Sequence, residues 1–193
     1  MITTNDETVA SHLRRLRNHG MEPKYFHAEV GLNSRLDAIQ AAVLNAKLPY
    51  LDGWSEGRSA NADDYDAMFI ESGAGTTAVS MQDTSLPLLV PARPDAPSRH
   101  IFNQYTIRVP ASVRDELRAH LNEQKIGHDV YYPVPLHKQE CFETLPCEPL
   151  PASEQAAAES IALPIYPELT EAQRSRVAET IVNFVRSHAA IGV

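Results

Sequence analysis

One long helical pattern most constrains how this 193-residue chain can fold. Ser34 and Asp37 form a capping-box pattern, which predicts a helix that begins near Arg35. We expect a kink at Pro49, because proline lacks the amide hydrogen, and an end near Phe69. A helix of this length bridges two lobes or pairs with a partner. Its apolar residues recur at helical spacing and predict a buried stripe: Leu36, Ile39, Val43, Leu48, Leu51 and Trp54.

The pattern after this helix predicts a small α+β lobe with a mostly antiparallel sheet. Before it, Thr4 and Glu7 read as the start of a helix that Gly20 ends. Gly31 can take the positive backbone angles of a turn. The predicted strands are residues 1–4, 86–90, 102–109 and 129–134. The second lobe has three predicted helices. The first begins at Ser112, which caps with Asp115, and ends near Gly127; the second runs from Ala152 to Ile161. The third begins at Thr170, which caps with Gln173, and continues beyond Val185.

Composition excludes several classes of protein. The net charge is -8 and the basic residues are scattered, which argues against nucleic-acid binding. Cys141 and Cys147 have no His-rich partner motif, so the sequence indicates neither a zinc site nor a disulfide framework. We find no apolar run long enough to span a membrane and no secretory leader, so we expect a cytoplasmic protein.

Asn33 and Arg35 are the first candidate site residues. They lie at the predicted start of the long helix, where unpaired amides and the helix dipole favour an anion. Polar residues in such places are more often caps and solvated side chains. Arg35 could also pair with a carboxylate such as Asp37.

The second candidate cluster is Tyr131, Tyr132 and His137. Pro133 and Pro135 stiffen the chain between these residues, as a binding loop requires. For each tyrosine, a place in the core or at a dimer surface is an equally good interpretation.

Five segments in this order resemble the DegT/DnrJ/StrS family of sugar-nucleotide aminotransferases, which use pyridoxal phosphate. They are residues 1–7 with 16–20, the Gly-Leu-Asn-Ser-Arg-Leu-Asp segment at 31–44, His-Ile-Phe-Asn-Gln-Tyr-Thr-Ile at 100–107, Tyr-Tyr-Pro-Val-Pro-Leu-His at 131–137, and Leu-Pro-Ile-Tyr-Pro-Glu-Leu-Thr at 163–170. The resemblance covers nearly the whole chain.

The resemblance implies roles for the candidate residues. Asn33 would reach into the active site of a neighbouring subunit and hold the cofactor phosphate there, with Arg35 as a second contact. The loop of Tyr131, Tyr132 and His137 would lie near the sugar. Tyr25 and His27, which precede the Gly31 segment, are possible neighbours of the same site, and the assembly would be a homodimer.

The resemblance also implies that the chain corresponds to the C-terminal half of a fold-type-I aminotransferase. Residues 1–70 would be a remnant of the large cofactor domain with the connecting helix, and residues 71–193 the small α+β domain. The family's Schiff-base lysine matches none of the lysines here: Lys24, Lys47, Lys125 and Lys138. We therefore expect no covalent binding of pyridoxal phosphate and no activity from this chain alone.

Two functions follow as hypotheses. In the first, the chain is part of an enzyme that transfers an amino group from an amino acid such as glutamate to a keto sugar nucleotide, with a 3-keto-6-deoxyhexose as the favoured sugar. In the second, it is a non-catalytic remnant or a regulatory protein that binds a nucleotide-sugar or a protein partner. In either case, uncovered apolar helix faces predict oligomerisation.

Overall fold

The computed structural model describes residues 2–189, which form two compact units, Met1–Leu51 and Asp52–Val193. Each unit is considered by itself below. The first contains helices α1 (Glu7–Leu16) and α2 (Ala38–Lys47) and a 3-10 turn at Leu48–Tyr50. The assignment of residues 1–70 and 71–193 to two domains stays a prediction.

Helix α1 begins one turn later than its predicted cap. Asp6 is the N-cap, and its carboxylate accepts hydrogen bonds from the amides of Thr8 at 2.8 Å and Val9 at 3.1 Å. Thr4 instead accepts a hydrogen bond from the Asp6 amide at 3.1 Å. The strand predicted for residues 1–4 is absent from Ile2–Thr4, and Met1 lies outside the described residues.

Helix α2 begins at Ala38, so the predicted start near Arg35 is wrong. Asp37 precedes the helix in an extended conformation and makes no side-chain cap. Ser34 belongs to a loop, where its amide donates to the Arg17 carbonyl at 2.9 Å. A 3-10 turn that contains Pro49 separates α2 from α3 at the position where the kink was expected.

The loop between α1 and α2 folds back on itself through antiparallel bridges, Asn18 to Asn33 and Met21 to His27. Gly20 does not end α1, which stops at Leu16; it has a φ of +66° within this loop. Gly31 serves a different purpose from the predicted turn. A Cβ at Gly31 would lie 2.2 Å from the Gly20 nitrogen, so only glycine permits this close approach of two backbones.

The second unit is an α+β fold, as predicted. Its sheet has the order β1-β2-β3-β4, with β1 and β2 parallel and the other pairs antiparallel. Its elements in chain order are α3 (Leu51–Glu71), β1 (Gly75–Thr76), β2 (Leu89–Val90), β3 (Tyr105–Arg108), α4 (Ala111–Glu123), α5 (Pro151–Glu159), β4 (Ser160–Leu163) and α6 (Glu171–Ala189).

The core joins α3, α4 and α6 to one face of this sheet. Tyr65 of α3 and Tyr105 of β3 are fully buried, with ring centroids 5.1 Å apart, and burial raises the pKa of both hydroxyls well above the ordinary value. The other large side chains of the core are Phe69, Phe102, Leu117, Leu121, Ile107, Ile161 and Ile181. The alternation of buried and partly exposed residues along β3 leaves its other face free for a site.

Two further predictions in this unit are wrong. The strand expected at 129–134 is reduced to one bridge, between Asp129 and Ala162, because Pro133 and Pro135 have no amide hydrogen to donate. The helix expected at 152–161 ends at Glu159, and its last predicted residues form β4, whose Ile161 and Leu163 are buried in the core.

Of the two helix caps predicted in this unit, one is wrong and one is confirmed. Helix α4 follows Pro110 and has no side-chain cap, so the predicted Ser112–Asp115 cap is wrong, and α4 ends at Glu123 rather than near Gly127. The predicted cap of α6 is confirmed, since the Thr170 amide donates to Gln173 Oε1 at 2.9 Å.

Candidate functional site

A groove runs along the face of the sheet that points away from the core. It consists of two adjoining pockets of about 330 and 310 Å³ that share Gln104, Asp129, Tyr131 and Ala162. We call it the outer-sheet groove. The larger pocket is lined by Gln104 just before β3, Thr106 from β3, Ser153, Ala156 and Ala157 from α5, Ser160 and Ala162 from β4, and Asp129, Val130, Tyr131, Tyr132, Pro135 and Leu136.

Three polar side chains on the floor of the groove are neutral. Thr106 lies in β3, Gln104 lies just before this strand, and Ser160 begins β4. Within residues 2–189 the side-chain amide of Gln104 and the hydroxyls of Thr106 and Ser160 make no hydrogen bond. Asp129 adds a carboxylate, which already accepts a hydrogen bond from the Val130 amide at 2.8 Å. The floor can therefore both donate to and accept from a polar, uncharged ligand.

Tyr131 and Tyr132 both line the groove, so the structure brings these two predicted residues together. Their side chains are exposed, at 52% and 77%, and are not part of the core. The interpretation that these tyrosines are buried in the core is therefore wrong within this chain. An exposed aromatic ring beside neutral hydroxyl and amide groups offers both an apolar face and hydrogen bonds.

His137 lies close by but does not line the groove. Its Nε2 is 3.2 Å from Oε1 of Glu154 in the first turn of α5, and its side chain is only 12% exposed. The other oxygen of Glu154 accepts a hydrogen bond from Lys138 Nζ at 2.5 Å. The hydrogen bonds from Lys138 and then His137 lower the pKa of the Glu154 carboxyl. As a substrate-binding residue, His137 stays a prediction.

In the first unit, Asn33 and Arg35 lie next to each other on the loop before α2. Arg35 Nε donates to Asn33 Oδ1 at 3.0 Å, and both side chains are exposed. The Asn33 amide nitrogen and the terminal nitrogens of Arg35 have no partner in the described part of the chain. These unpaired donors are of the kind that phosphate oxygens accept.

Tyr25 and His27 lie on the same loop. The His27 ring donates from Nδ1 to the His19 carbonyl at 2.9 Å, which leaves Nε2 as the atom available to a ligand. Tyr25 is 76% exposed, and Lys24 Nζ lies 4.9 Å from the centre of its ring. The predicted site residues thus form two groups. Asn33, Arg35, Tyr25 and His27 lie in the first unit, and Tyr131, Tyr132 and His137 lie in the second.

Sequence reasoning missed two charged residues that hold these loops. Glu29 accepts from Arg15 Nε at 3.0 Å and lies 2.6 Å from His12 Nε2, and the Arg15 hydrogen bond lowers the pKa of its carboxyl. Glu154 holds the Tyr131 loop. Both contacts join residues at least 14 positions apart, so no local pattern could have found them.

With this geometry in place, comparison with known proteins defines the class. The chain aligns with an X-ray structure of DesV from S. venezuelae in complex with a ketimine intermediate, with a TM-score of 0.79 and 34% identity over 95% of this chain and 46% of the other. It also aligns with a DegT/DnrJ/EryC1/StrS aminotransferase structure from Brucella abortus, with a TM-score of 0.78 and 33% identity over 94% of this chain and 45% of the other. The fold is that of part of a pyridoxal-phosphate aminotransferase.

The model of the DegT/DnrJ/EryC1/StrS aminotransferase family matches residues 1–182, and the chain belongs to this family. It is 44% identical to a pleiotropic regulatory protein of Geobacillus stearothermophilus over 98% of this chain and 48% of the relative. It is 38% identical to the dTDP-3-amino-3,4,6-trideoxy-alpha-D-glucose transaminase of Streptomyces venezuelae over 93% of this chain and 44% of the relative. The chain therefore spans about half the length of the curated relatives it matches.

The family depends on pyridoxal phosphate, and the unpaired donors of Asn33 and Arg35 suit its phosphate group. The two lysines near the candidate residues have partners within the chain, since Lys138 Nζ donates to Glu154 and Lys24 Nζ lies over the Tyr25 ring. Across residues 2–189 there is no cluster of potential metal ligands. No helix in that range is long and apolar enough to cross a membrane.

Proposed function

We propose that this chain is the part of a sugar-nucleotide aminotransferase that holds the sugar. The outer-sheet groove carries the proposal, because exposed Tyr131 and Tyr132 flank a floor of unpaired amide and hydroxyl groups. Sugars present apolar C–H faces to aromatic rings and hydroxyls to neutral polar groups. Membership of a sugar-aminotransferase family supports the same function.

The first unit would serve the cofactor of a neighbouring subunit. Asn33 and Arg35 would donate hydrogen bonds to the phosphate of pyridoxal phosphate, and His27 and Tyr25 would lie at the edge of that site. The cofactor supplies the amino-group transfer itself. The residues of this chain bind and orient, which places the keto carbon of the sugar close to the reacting group.

The substrate we propose is a 3-keto sugar nucleotide, with a 6-deoxyhexose as the favoured sugar and glutamate as the amino donor. The names of three relatives support the position of the keto group. Relatives at 35% and 38% identity are named for 3-amino products or 3-dehydro substrates, one carried on UDP and one on dTDP. A third, at 34%, is a dTDP-3-amino-3,6-dideoxy-alpha-D-galactopyranose transaminase from Aneurinibacillus thermoaerophilus.

Titration calorimetry with dTDP-glucose and UDP-N-acetylglucosamine tests the groove. We expect saturable binding of at least one, and about tenfold weaker binding after Tyr132→Ala, which corresponds to the loss of one aromatic contact of about 1.4 kcal/mol. Tyr166→Ala is the matched control, since Tyr166 is 40% exposed and does not line the groove. An equal loss in both variants, or no binding by the wild type, would refute the proposal.

We also propose that this chain alone does not catalyse amino transfer. Lys24 and Lys138, the lysines beside the candidate residues, are engaged within this chain, and the family's Schiff-base lysine matches none of the lysines in the sequence. The chain is mixed with pyridoxal phosphate, examined for the absorbance of a specific lysine adduct, and assayed for transfer from glutamate. A stable adduct with turnover would show that this proposal is wrong.

A regulatory role is the second candidate, because the relative at 44% identity is called a pleiotropic regulatory protein and another, at 32%, a sensory transduction protein. This candidate predicts nucleotide-sugar binding without turnover even when the chain is supplied with every part of the cofactor site. Turnover in such a reconstituted assembly would favour the enzyme.

A further inference from the structure

The segment that carries Tyr131 and Tyr132 is tied at both ends to α5 and β4. We call residues 130–136 the strap. Just before the strap, Asp129 and Ala162 of β4 exchange two backbone hydrogen bonds, of 3.1 and 2.8 Å. Just after it, His137 and Lys138 both contact Glu154 of α5.

Between these anchors, the strap makes few hydrogen bonds within the described residues. The Val130 amide donates to the Asp129 side chain, and the Val134 carbonyl accepts from Gln139 Nε2 at 3.3 Å. At the distal end, the Pro135 and Leu136 carbonyls accept from the Lys138 and Gln139 amides at 2.9 and 3.1 Å. The hydroxyls of Tyr131 and Tyr132 have no partner within the described residues. The position of the two rings therefore depends on the anchors.

Pro133 and Pro135 transmit a change at the distal anchor along the strap. Each proline fixes its own φ and restricts the residue before it, so the strap has few internal ways to absorb a displacement. The 3-10 turn at Leu136–Lys138 begins directly after Pro135. A movement of His137 and Lys138 would therefore shift the tyrosines rather than be lost in a flexible loop.

Glu154 is suited to hold this anchor. Its two carboxylate oxygens each contact a different residue, and its side chain is only 32% exposed, which limits screening by water. It also lies in the first turn of α5, where the helix dipole stabilises a negative charge. Its neighbour Ser153 lines the groove, so the anchor and the groove wall are adjacent on α5.

We infer that Glu154 is a positioning residue for nucleotide-sugar binding, which fixes the strap and thereby holds Tyr131 and Tyr132 over the outer-sheet groove. The identity of the ligand rests on the function proposed above. The holding of the strap stands on the contacts of Glu154 alone.

Hydrogen–deuterium exchange with Glu154→Gln tests the inference. We expect the Lys138 and Gln139 amides, which donate to the strap carbonyls of Pro135 and Leu136, to exchange about fivefold faster, while β3 amides stay unchanged. Glu148→Gln, which removes an exposed carboxylate in the loop before α5, should leave the strap unchanged. Lys138→Met should give an intermediate rate, because His137 still contacts Glu154.

Calorimetry with dTDP-glucose and UDP-N-acetylglucosamine then shows whether the anchor matters for binding. We expect Kd for the better ligand to rise about fivefold in Glu154→Gln and to stay constant in Glu148→Gln. Unchanged exchange of the Lys138 and Gln139 amides, or faster exchange with unchanged Kd, would overturn the inference. If the wild type binds neither ligand, the proposed function fails, and the exchange of these two amides alone decides whether Glu154 holds the strap.

Discussion

At the scale of single residues, Gly31 is required because the backbone at Gly20 passes against it. The sequence alone predicted a turn at this position. The prediction missed this contact because the partner, Gly20, approaches only when the whole loop folds back. His137 contacts Glu154, which lies 17 positions away in sequence, and its contact with a ligand stays a prediction.

The close approach at Gly31 predicts a large effect from one methyl group. In Gly31→Ala the Cβ would lie 2.2 Å from the Gly20 nitrogen and 2.6 Å from the Leu16 carbonyl oxygen, and backbone atoms cannot move aside cheaply. We expect the first unit to lose about 2–3 kcal/mol of unfolding free energy, measured by hydrogen exchange of the loop amides.

Gly53→Ala is the matched control, since a Cβ at this position in α3 meets nothing within 4 Å. It should stabilise the chain by up to about 1 kcal/mol through helix propensity. Equal effects of the two substitutions would show that the backbone contact at Gly31 does not constrain the loop.

At the scale of elements, the predictions succeeded where hydrophobic spacing and capping agreed and failed where tertiary contacts decided. The kink at Pro49 and the cap of α6 were both predicted. Strand β4 was missed because its Ser-Ile-Ala-Leu sequence continues the Ala-rich helix α5 without a turn residue. Only the pairing with β3 makes Ser160–Leu163 a strand.

The cap of α6 yields a measurable prediction. Thr170→Ala removes a hydroxyl that makes two hydrogen bonds. It accepts from the Gln173 backbone amide at 3.4 Å and donates to Gln173 Oε1 at 3.0 Å. We expect a loss of about 1 kcal/mol in the free energy of unfolding, measured by urea denaturation of the full chain.

Thr180→Ala, within the same helix, provides the comparison. Its hydroxyl donates to the Arg176 carbonyl at 2.7 Å, one turn earlier, and replaces no missing helix partner. This variant should be neutral or more stable by a few tenths of a kcal/mol. A Thr180→Ala variant as unstable as Thr170→Ala would contradict the capping role.

At the scale of the whole molecule, the predicted buried stripe of α2 is wrong within this chain. Ile39 is 80% exposed, Leu36 60% and Val43 53%. The spacing correctly indicated an apolar helix face, but it does not show whether this chain or another molecule covers that face. We propose that a second subunit does so in the homodimer, because a contiguous apolar face of this kind is typical of subunit interfaces.

Charge placed in this stripe should weaken association. We expect Ile39→Lys to shift the chain toward monomer in sedimentation velocity, with about tenfold weaker self-association, because the lysine would lose hydration at the interface. Gln40→Lys adds the same charge at the neighbouring exposed position and should change association much less. A wild-type chain that stays monomeric at high concentration would contradict the proposed dimer.

The central claim is that the outer-sheet groove binds the sugar of a nucleotide-sugar. The most direct measurement is a ¹⁵N NMR titration of the labelled chain with dTDP-glucose and with UDP-N-acetylglucosamine. The account predicts saturable shifts in the amides of Thr106, Tyr131, Tyr132 and Ser160, all of which line the groove. Saturable shifts confined to residues outside the groove, or no shifts with either ligand, would contradict it.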